Sequence, residues 1–353
     1  MTSVPDRSRV RLPGLSSRAY EHPADRSALV ALRKLTGFDT MLKQLMGLVT
    51  ERAIRLGFLA SAVKVSERQF PHIYEMVRDG CYILDLEKVP EVYVAQTPFP
   101  NAMAIGFKDP IIVLHTSLVD LCDPEELRAV IGHELGHVLS GHALYHTMLF
   151  ILLIIAANLS WFPIAGIGLR AIIWGLEEWS RKSELSCDRA GLLACQDIDA
   201  SRRVLMKLAG GSHLAEMNAD AFHEQAREYD AVPDLRDSFL KLLQLQGTTH
   251  PFAVVRFAEI DHWYSSGAYE RILNGDYPRR DADRDATISE EVKSAANAYQ
   301  ESWSRSEDPL IGLVRGGIGG MARAGSGLFD RFSGRDNGGN DSDSDSDSDS
   351  DEL

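Results

Sequence analysis

The chain has 353 residues, 44% of them hydrophobic, and a formal net charge of −14. Much of that charge is local: Asp336 to Leu353 carries seven Asp and one Glu with no Lys or Arg, leaving the rest near −6. A mildly acidic body has no basic stripe of the kind nucleic acid demands, which argues against a nucleic-acid partner, and the length allows one large or two small domains.

Residues 1–24 are polar and Arg-rich, lack the apolar core of a secretory leader, and are expected to form a flexible arm. From Asp25 to about Leu84 the pattern is helical, with Leu29, Leu32 and Leu35, then Met41, Leu42 and Leu45, spaced by three and four. EVYVAQT (91–97), MAIGFK (103–108) and IIVLHT (111–116) read as strands, the last two joined by a turn at Asp109-Pro110. Asp123 is an expected N-cap, with Pro124 in the first turn and two Glu behind it, so a helix starts there.

An apolar stretch, 143–176, follows that helix, with no Lys, Arg, Asp or Glu from Ala143 to Leu169. Pro163 and its small neighbours favour two helices in a hairpin over one. The first, 143–161, is about 28 Å long at 1.5 Å per residue, barely enough for a bilayer core. Three readings stay open: a membrane-inserted hairpin, an oligomer contact, and intramolecular core. Further helices are expected over 172–196, 199–208, 234–245 and 280–303. The Gly/Ser/Asp-rich tail, 313–353, cannot bury enough apolar surface to fold and is expected to be disordered, leaving 25–312 as the folded domain. The expected fold class is α+β, mostly α-helical, with a small β-sheet beside the helix that starts at Asp123.

Four cysteines, Cys81, Cys122, Cys187 and Cys195, show no CxxC spacing, so neither a disulfide framework nor a cysteine zinc knuckle is indicated. With no leader, this places the chain in a reducing, cytosol-facing compartment.

The chemistry is carried by HELGHVLSGH, 133–142. On a helix, His133 and His137 lie one turn apart on one face and can direct ring nitrogens at one point. Glu134 lies about 100° round from His133, where it can meet an attacking water without being a ligand. Two imidazoles suit zinc and leave room for a third side chain and a water, whose proton Glu134 can accept. A bare HExxH also arises by chance on solvated helices, so a third ligand matters. His142, five residues past His137 and about 140° away round a continuous helix, points elsewhere and, with His146, reads as a capping or packing group. In SELSCDRAG, Glu184 and Asp188 are four apart on one helical face. Glu184 can reach the metal while Asp188 holds a ligating imidazole by its other nitrogen.

This combination resembles the HtpX-like zinc metalloendopeptidases, the gluzincin family that includes the CAAX prenyl protease and soluble periplasmic relatives. The similar stretches are PNAMAIG (100–106), IIVLHTSLVD (111–120), EELRAVIGHELGHVLSGH (125–142), ELSCDRAG (184–191) and THPFAVVR (249–256), in the family's order. The resemblance implies one zinc per chain on His133, His137 and Glu184, with Glu134 as the base. It further implies that Asn101 and Ala102 line the substrate cleft, that His250 donates to the developing oxyanion, and that Arg256 pairs with an acid such as Asp188. PNAMAIG is a candidate sheet edge on which a peptide substrate could be laid as an added strand. The expected activity is hydrolysis of peptide bonds in protein substrates by an enzyme on the cytoplasmic side of a membrane, held there through 143–176, with oligomerisation open. The rival readings are a catalytically idle zinc-containing membrane scaffold and a prenyl-protein processing protease.

Overall fold

The fold was analysed in a computed structural model that describes residues 9–33, 38–158, 166–231 and 252–283. It is α+β and mostly helical. Its sheet has four strands in the order β1 (Val63–Lys64), β2 (Val92–Ala95), β4 (Ile111–His115), β3 (Ala102–Ile105). β2 runs parallel to β4, while β1 on β2 and β3 on β4 are antiparallel. The alternation expected of a two-faced sheet is present: Val92, Val94, Ala102, Ala104, Ile112 and Leu114 enter the main core. Tyr93, Ile105, Ile111 and Val113 face the other way, where Ile54 and Phe58 pack on them. The three strands read from sequence are present, each shorter than expected, and β3 starts one residue earlier, at Ala102. β1 has two residues, too few to leave a periodic signal.

The β3–β4 hairpin turns at Gly106, whose φ of +142° and 2.6 Å gap from an added Cβ to the Pro110 Cα leave no room for a side chain. Glu51, in the first turn of α3 (Glu51–Ser61), fixes that turn by accepting from the backbone N–H groups of Phe107, Lys108 and Asp109. β3 is the edge strand. Asn101 O accepts from His115 N at 3.0 Å, so in the antiparallel register the N–H and C=O of Ala102 and Ala104 point away from β4.

Helix α6 (Pro124–Leu139) starts in a capping box: Asp123 accepts from the N–H groups of Glu125 and Glu126, and Glu126 accepts from the Asp123 N–H. Arg203 and Lys207 of α9 (Ile198–Gly210) neutralise the buried Glu126. α6 packs on the long α8 (Gly166–Cys195), with Gly132 and Gly136 of one against Ala194 and Ala190 of the other. At Gly141, φ +71°, the chain bends by 90° into α7 (His142–Asn158). α11 (Ala253–Ser265) closes the main core with Phe257, Ile260 and Trp263.

The apolar hairpin is largely interior on its described part. Tyr145, Met148, Leu149, Ile151 and Leu152 of α7 and Ile172, Ile173, Leu176 and Trp179 of α8 form a second core. Leu32 of α1 (Pro23–Arg33) and Phe38 and Leu45 of α2 (Phe38–Leu48) cover it. Phe150, Leu153 and Ile154 stay exposed on α7. Among the described residues no single helix is long and apolar enough to cross a membrane, although α6 and α7 pass that test together across their 90° bend.

The expected flexible arm needs correction over its described part, 9–24. Leu12, Leu15 and Tyr20 are buried in the main core, Leu12 N donates to Ile83 O at 2.8 Å, and Arg9 reaches Glu125 and Cys195 O. A segment of turns and one short 3-10 helix (Ser17–Ala19), held by single apolar anchors, has no sustained helical or strand period, so composition alone suggested a free chain. The helix expected over 234–245, most of that over 280–303, and the tail lie outside the described residues.

Candidate active site

α6 and α8 cross where their small residues meet, and this brings their polar residues to one point. His133 Nε2 and His137 Nε2 are 3.1 Å apart. Glu184 Oε2 lies 3.3 Å from His133 Nε2, and its Oε1 lies 3.3 Å from His137 Nε2. All three side chains are buried. Ligands about 2.0–2.1 Å from a tetrahedral metal ion stand roughly 3.3 Å from one another, so two imidazoles and a carboxylate at these spacings fit a metal ion.

The electrostatics favour positive charge at that point. At His133 burial opposes protonation, yet the carboxylates of Glu184 and Asp188 outweigh it and raise the ring to about 10. Those carboxylates would favour a metal ion in place of that proton. Burial lowers His137 to about 4, which keeps its ring neutral and able to ligate.

Asp188, one turn beyond Glu184, accepts from His133 Nδ1 at 3.0 Å. Arg256 of α11 grips Asp188 with two bonds, Nε to Oδ2 at 2.8 Å and Nη2 to Oδ1 at 2.5 Å. Its Nη1 is also 3.5 Å from Glu184 Oε2. Burial works against both charges, but Arg256 and His133 hold the Asp188 carboxyl below the usual range, and Asp188 holds Arg256 charged. A buried fork of this kind fixes the imidazole it contacts.

Glu134 is buried, and its Oε2 has no hydrogen-bond partner among the described residues. Burial pushes this carboxyl up to about 7; Glu184 adds to the rise while His133 and Arg256 oppose it. A carboxylate kept out of protein hydrogen bonds and poised near neutrality is suited to exchanging a proton with a substrate or water.

A cleft of about 740 Å³ opens over the site, lined by Asn101, Ala102, His133, Glu134, Glu184 and, across it, Phe252. A smaller apolar recess of about 110 Å³ adjoins it between β3 and α7, with Leu149, Phe150 and Leu153 on its wall. The free edge of β3 at Ala102 therefore borders both spaces.

The structure thus brings together His133, Glu134, His137, Glu184, Asp188, Arg256, Asn101 and Ala102, while His250 lies outside the described residues. Sequence reasoning missed two residues at the centre. His142 is buried against His137 with its Nδ1 3.3 Å from that of His137, and Asp25 of α1 is 3.3 Å from His142 Nε2. His142 was set aside on the angle of a continuous helix, but it belongs to the next helix. His146 packs between His137 and Trp179, with ring centroids 4.7 and 5.2 Å away, and its Nε2 lies 3.3 Å from both Ser180 Oγ and Ser183 Oγ. His137, His142 and Cys187 form a second group close enough to share an ion. Burial raises the Cys187 thiol well above its ordinary range.

Comparison with known proteins agrees with this geometry. The family described as Peptidase family M48 matches residues 67–264. The plastoglobule-localized metallopeptidase 48, chloroplastic, of Arabidopsis thaliana is 38% identical over 268 residues, 73% of this chain and 76% of that protein. A protease HtpX homolog of Tropheryma whipplei is 35% identical over 125 residues, 34% of this chain and 40% of its own. Protease HtpX homolog 2 of Methanosarcina acetivorans is 40% identical over 77 residues, 21% of this chain and 26% of its own. No solved structure matches.

Proposed function

The chain belongs to peptidase family M48 and is a metallopeptidase; on that premise we propose that it is a zinc endopeptidase that cuts extended segments of protein substrates. The observation that carries this reading is the convergence of His133 Nε2, His137 Nε2 and Glu184 within 3.1–3.3 Å beside Glu134 Oε2, which has no partner among the described residues. These three side chains would hold one zinc ion. When bound, zinc supplies Lewis acidity to the scissile carbonyl and to the attacking water.

The protein residues do the rest. Glu134 takes the proton of the attacking water and hands it to the departing amine, a task its raised pKa suits. Asp188 and Arg256 keep the His133 ring fixed through that cycle. The substrate lies antiparallel to β3 and bonds to the outward backbone groups of Ala102, with the Asn101 side chain at the cleft wall. His250 fits the role of oxyanion donor by its family position.

Association with a membrane surface belongs to the same reading. Its support is the exposed Phe150, Leu153 and Ile154 on α7, next to the substrate edge, and the plastoglobule location named for one relative. The test is metal analysis with chelation: purified protein should hold about one zinc per chain and lose peptide hydrolysis to a chelator, recovering it with added zinc. Protein that hydrolyses peptides with no bound metal would contradict the reading.

A further inference from the structure

His133 is oriented directly by a carboxylate, but among the described residues no carboxylate touches the Nδ1 of His137. A neutral imidazole that ligates through Nε2 carries its proton on Nδ1 and must donate it. The partner of His137 Nδ1 is His142 Nδ1, at 3.3 Å. To accept there, His142 must be protonated on Nε2, and that nitrogen lies 3.3 Å from Asp25 Oδ2. Asp25 is itself fixed: Trp179 Nε1 donates to Oδ1 at 2.9 Å and Ser186 Oγ donates to Oδ2 at 2.6 Å. One further neighbour, Cys187 Sγ, is 3.5 Å from His142 Nδ1 and is a weak donor at most. Asp25, His142, Trp179 and Ser186 are all at most 2% exposed. Each N–H and O–H of His137 Nδ1, His142 Nε2, Trp179 Nε1 and Ser186 then faces an acceptor, with one proton arrangement throughout.

We propose that Asp25 and His142 are the positioning residues of His137, a two-member relay that does for this ligand what Asp188 does for His133. The proposal rests on the reading of His137 as a metal ligand. It adds a role for α1: Asp25 lies N-terminal to the stretch matched by the family, 67–264, so a helix outside that stretch completes the metal centre.

The relay makes Asp25→Asn informative despite its near-identical shape. An amide nitrogen on the Oδ2 side would face the His142 N–H, forcing the His142 proton onto Nδ1, against the His137 N–H. On the Oδ1 side it would face the Trp179 N–H instead. Either way one donor confronts another.

The experiment compares full-length wild type with Asp25→Asn, His142→Leu and, as a control on α1 packing, Arg33→Gln, which removes the bonds from α1 to the Tyr145 hydroxyl. Zinc transfer to a chromophoric chelator gives the release rate, cobalt(II) loading gives a visible spectrum of ligand geometry, and melting of the stripped protein reports the fold. The relay requires Asp25→Asn and His142→Leu to release zinc about 10–100-fold faster with altered cobalt bands, and Arg33→Gln to match wild type. If His142→Leu does not fold, Asp25→Asn decides. Wild-type release and spectrum in Asp25→Asn, or an equal loss in Arg33→Gln, would overturn the relay while leaving the zinc site standing. Wild type that binds neither metal would overturn the ligand assignment and the relay with it.

Discussion

Gly132 of α6 stands so close to Ala194 of α8 that a Cβ on residue 132 would lie 2.3 Å from the Ala194 Cβ. These two helices carry all three candidate metal ligands, so the spacing that glycine permits also sets the distance from His133 and His137 to Glu184. Gly191 adds to it from the other side, where a Cβ would lie 2.7 Å from Ala129 O.

Gly132→Ala is therefore expected to force the helices apart although Ala is the better helix former. Overpacking of this kind costs about 1–3 kcal/mol, which denaturant unfolding of the stripped protein would register. Zinc affinity should fall as well, since the ligands no longer meet at one point. An unchanged unfolding midpoint and unchanged affinity would mean that the helix contact does not set the site.

Asp188→Asn tests the fork that holds His133. The change keeps the shape, removes the charge facing Arg256, and sets an amide donor against either the guanidinium or the His133 N–H. Zinc affinity, measured by competition with a chelator, should fall about 10–100-fold. Affinity equal to wild type would show that the pair does not orient the ligand.

The substrate edge can be tested on the backbone. Pro at position 102 removes an N–H that points away from β4, leaving the β3–β4 ladder intact. Ala102→Pro should lower kcat/KM for extended peptides about 10-fold, the worth of one hydrogen bond to the substrate, with little change in melting temperature. A variant with full activity on long peptides would place the substrate elsewhere.

The exposed face of α7 separates membrane contact from core. Phe150, Leu153 and Ile154 are 48%, 36% and 48% exposed, whereas Ile151 and Leu152 between them are buried. Replacing the exposed three with Ser should release the protein from lipid vesicles in a flotation assay while keeping its fold and bound zinc. Undiminished flotation of that variant would rule this face out as the attachment surface.

What the sequence showed of this site was local, and what it hid was distant. His133, Glu134 and His137 follow from one helical turn, Glu184 and Asp188 from another, and the capping box at Asp123 from three adjacent residues. Three of the sheet's four strands were legible for the same reason, because β-branched and aromatic residues cluster within a few positions, while two-residue β1 was not. His142 was misjudged because the wheel angle assumed an unbroken helix, and Gly141 ends it with a positive φ. Asp25 leaves no signal at all, since nothing near position 25 refers to a histidine 117 residues away. Leu12, Leu15 and Tyr20 were hidden in the same way, as isolated anchors in a segment of irregular turns.

The most direct test of the central claim is Glu134→Gln, measured for zinc content and turnover together. Glu134 touches no candidate ligand through a hydrogen bond and its Oε2 has no protein partner among the described residues, so the amide should preserve fold and zinc. The account predicts about one zinc per chain, an unchanged melting temperature, and kcat lowered about 10²–10⁴-fold, the usual worth of a positioned general base. Turnover near the wild-type rate, in protein that still holds its zinc, would contradict it.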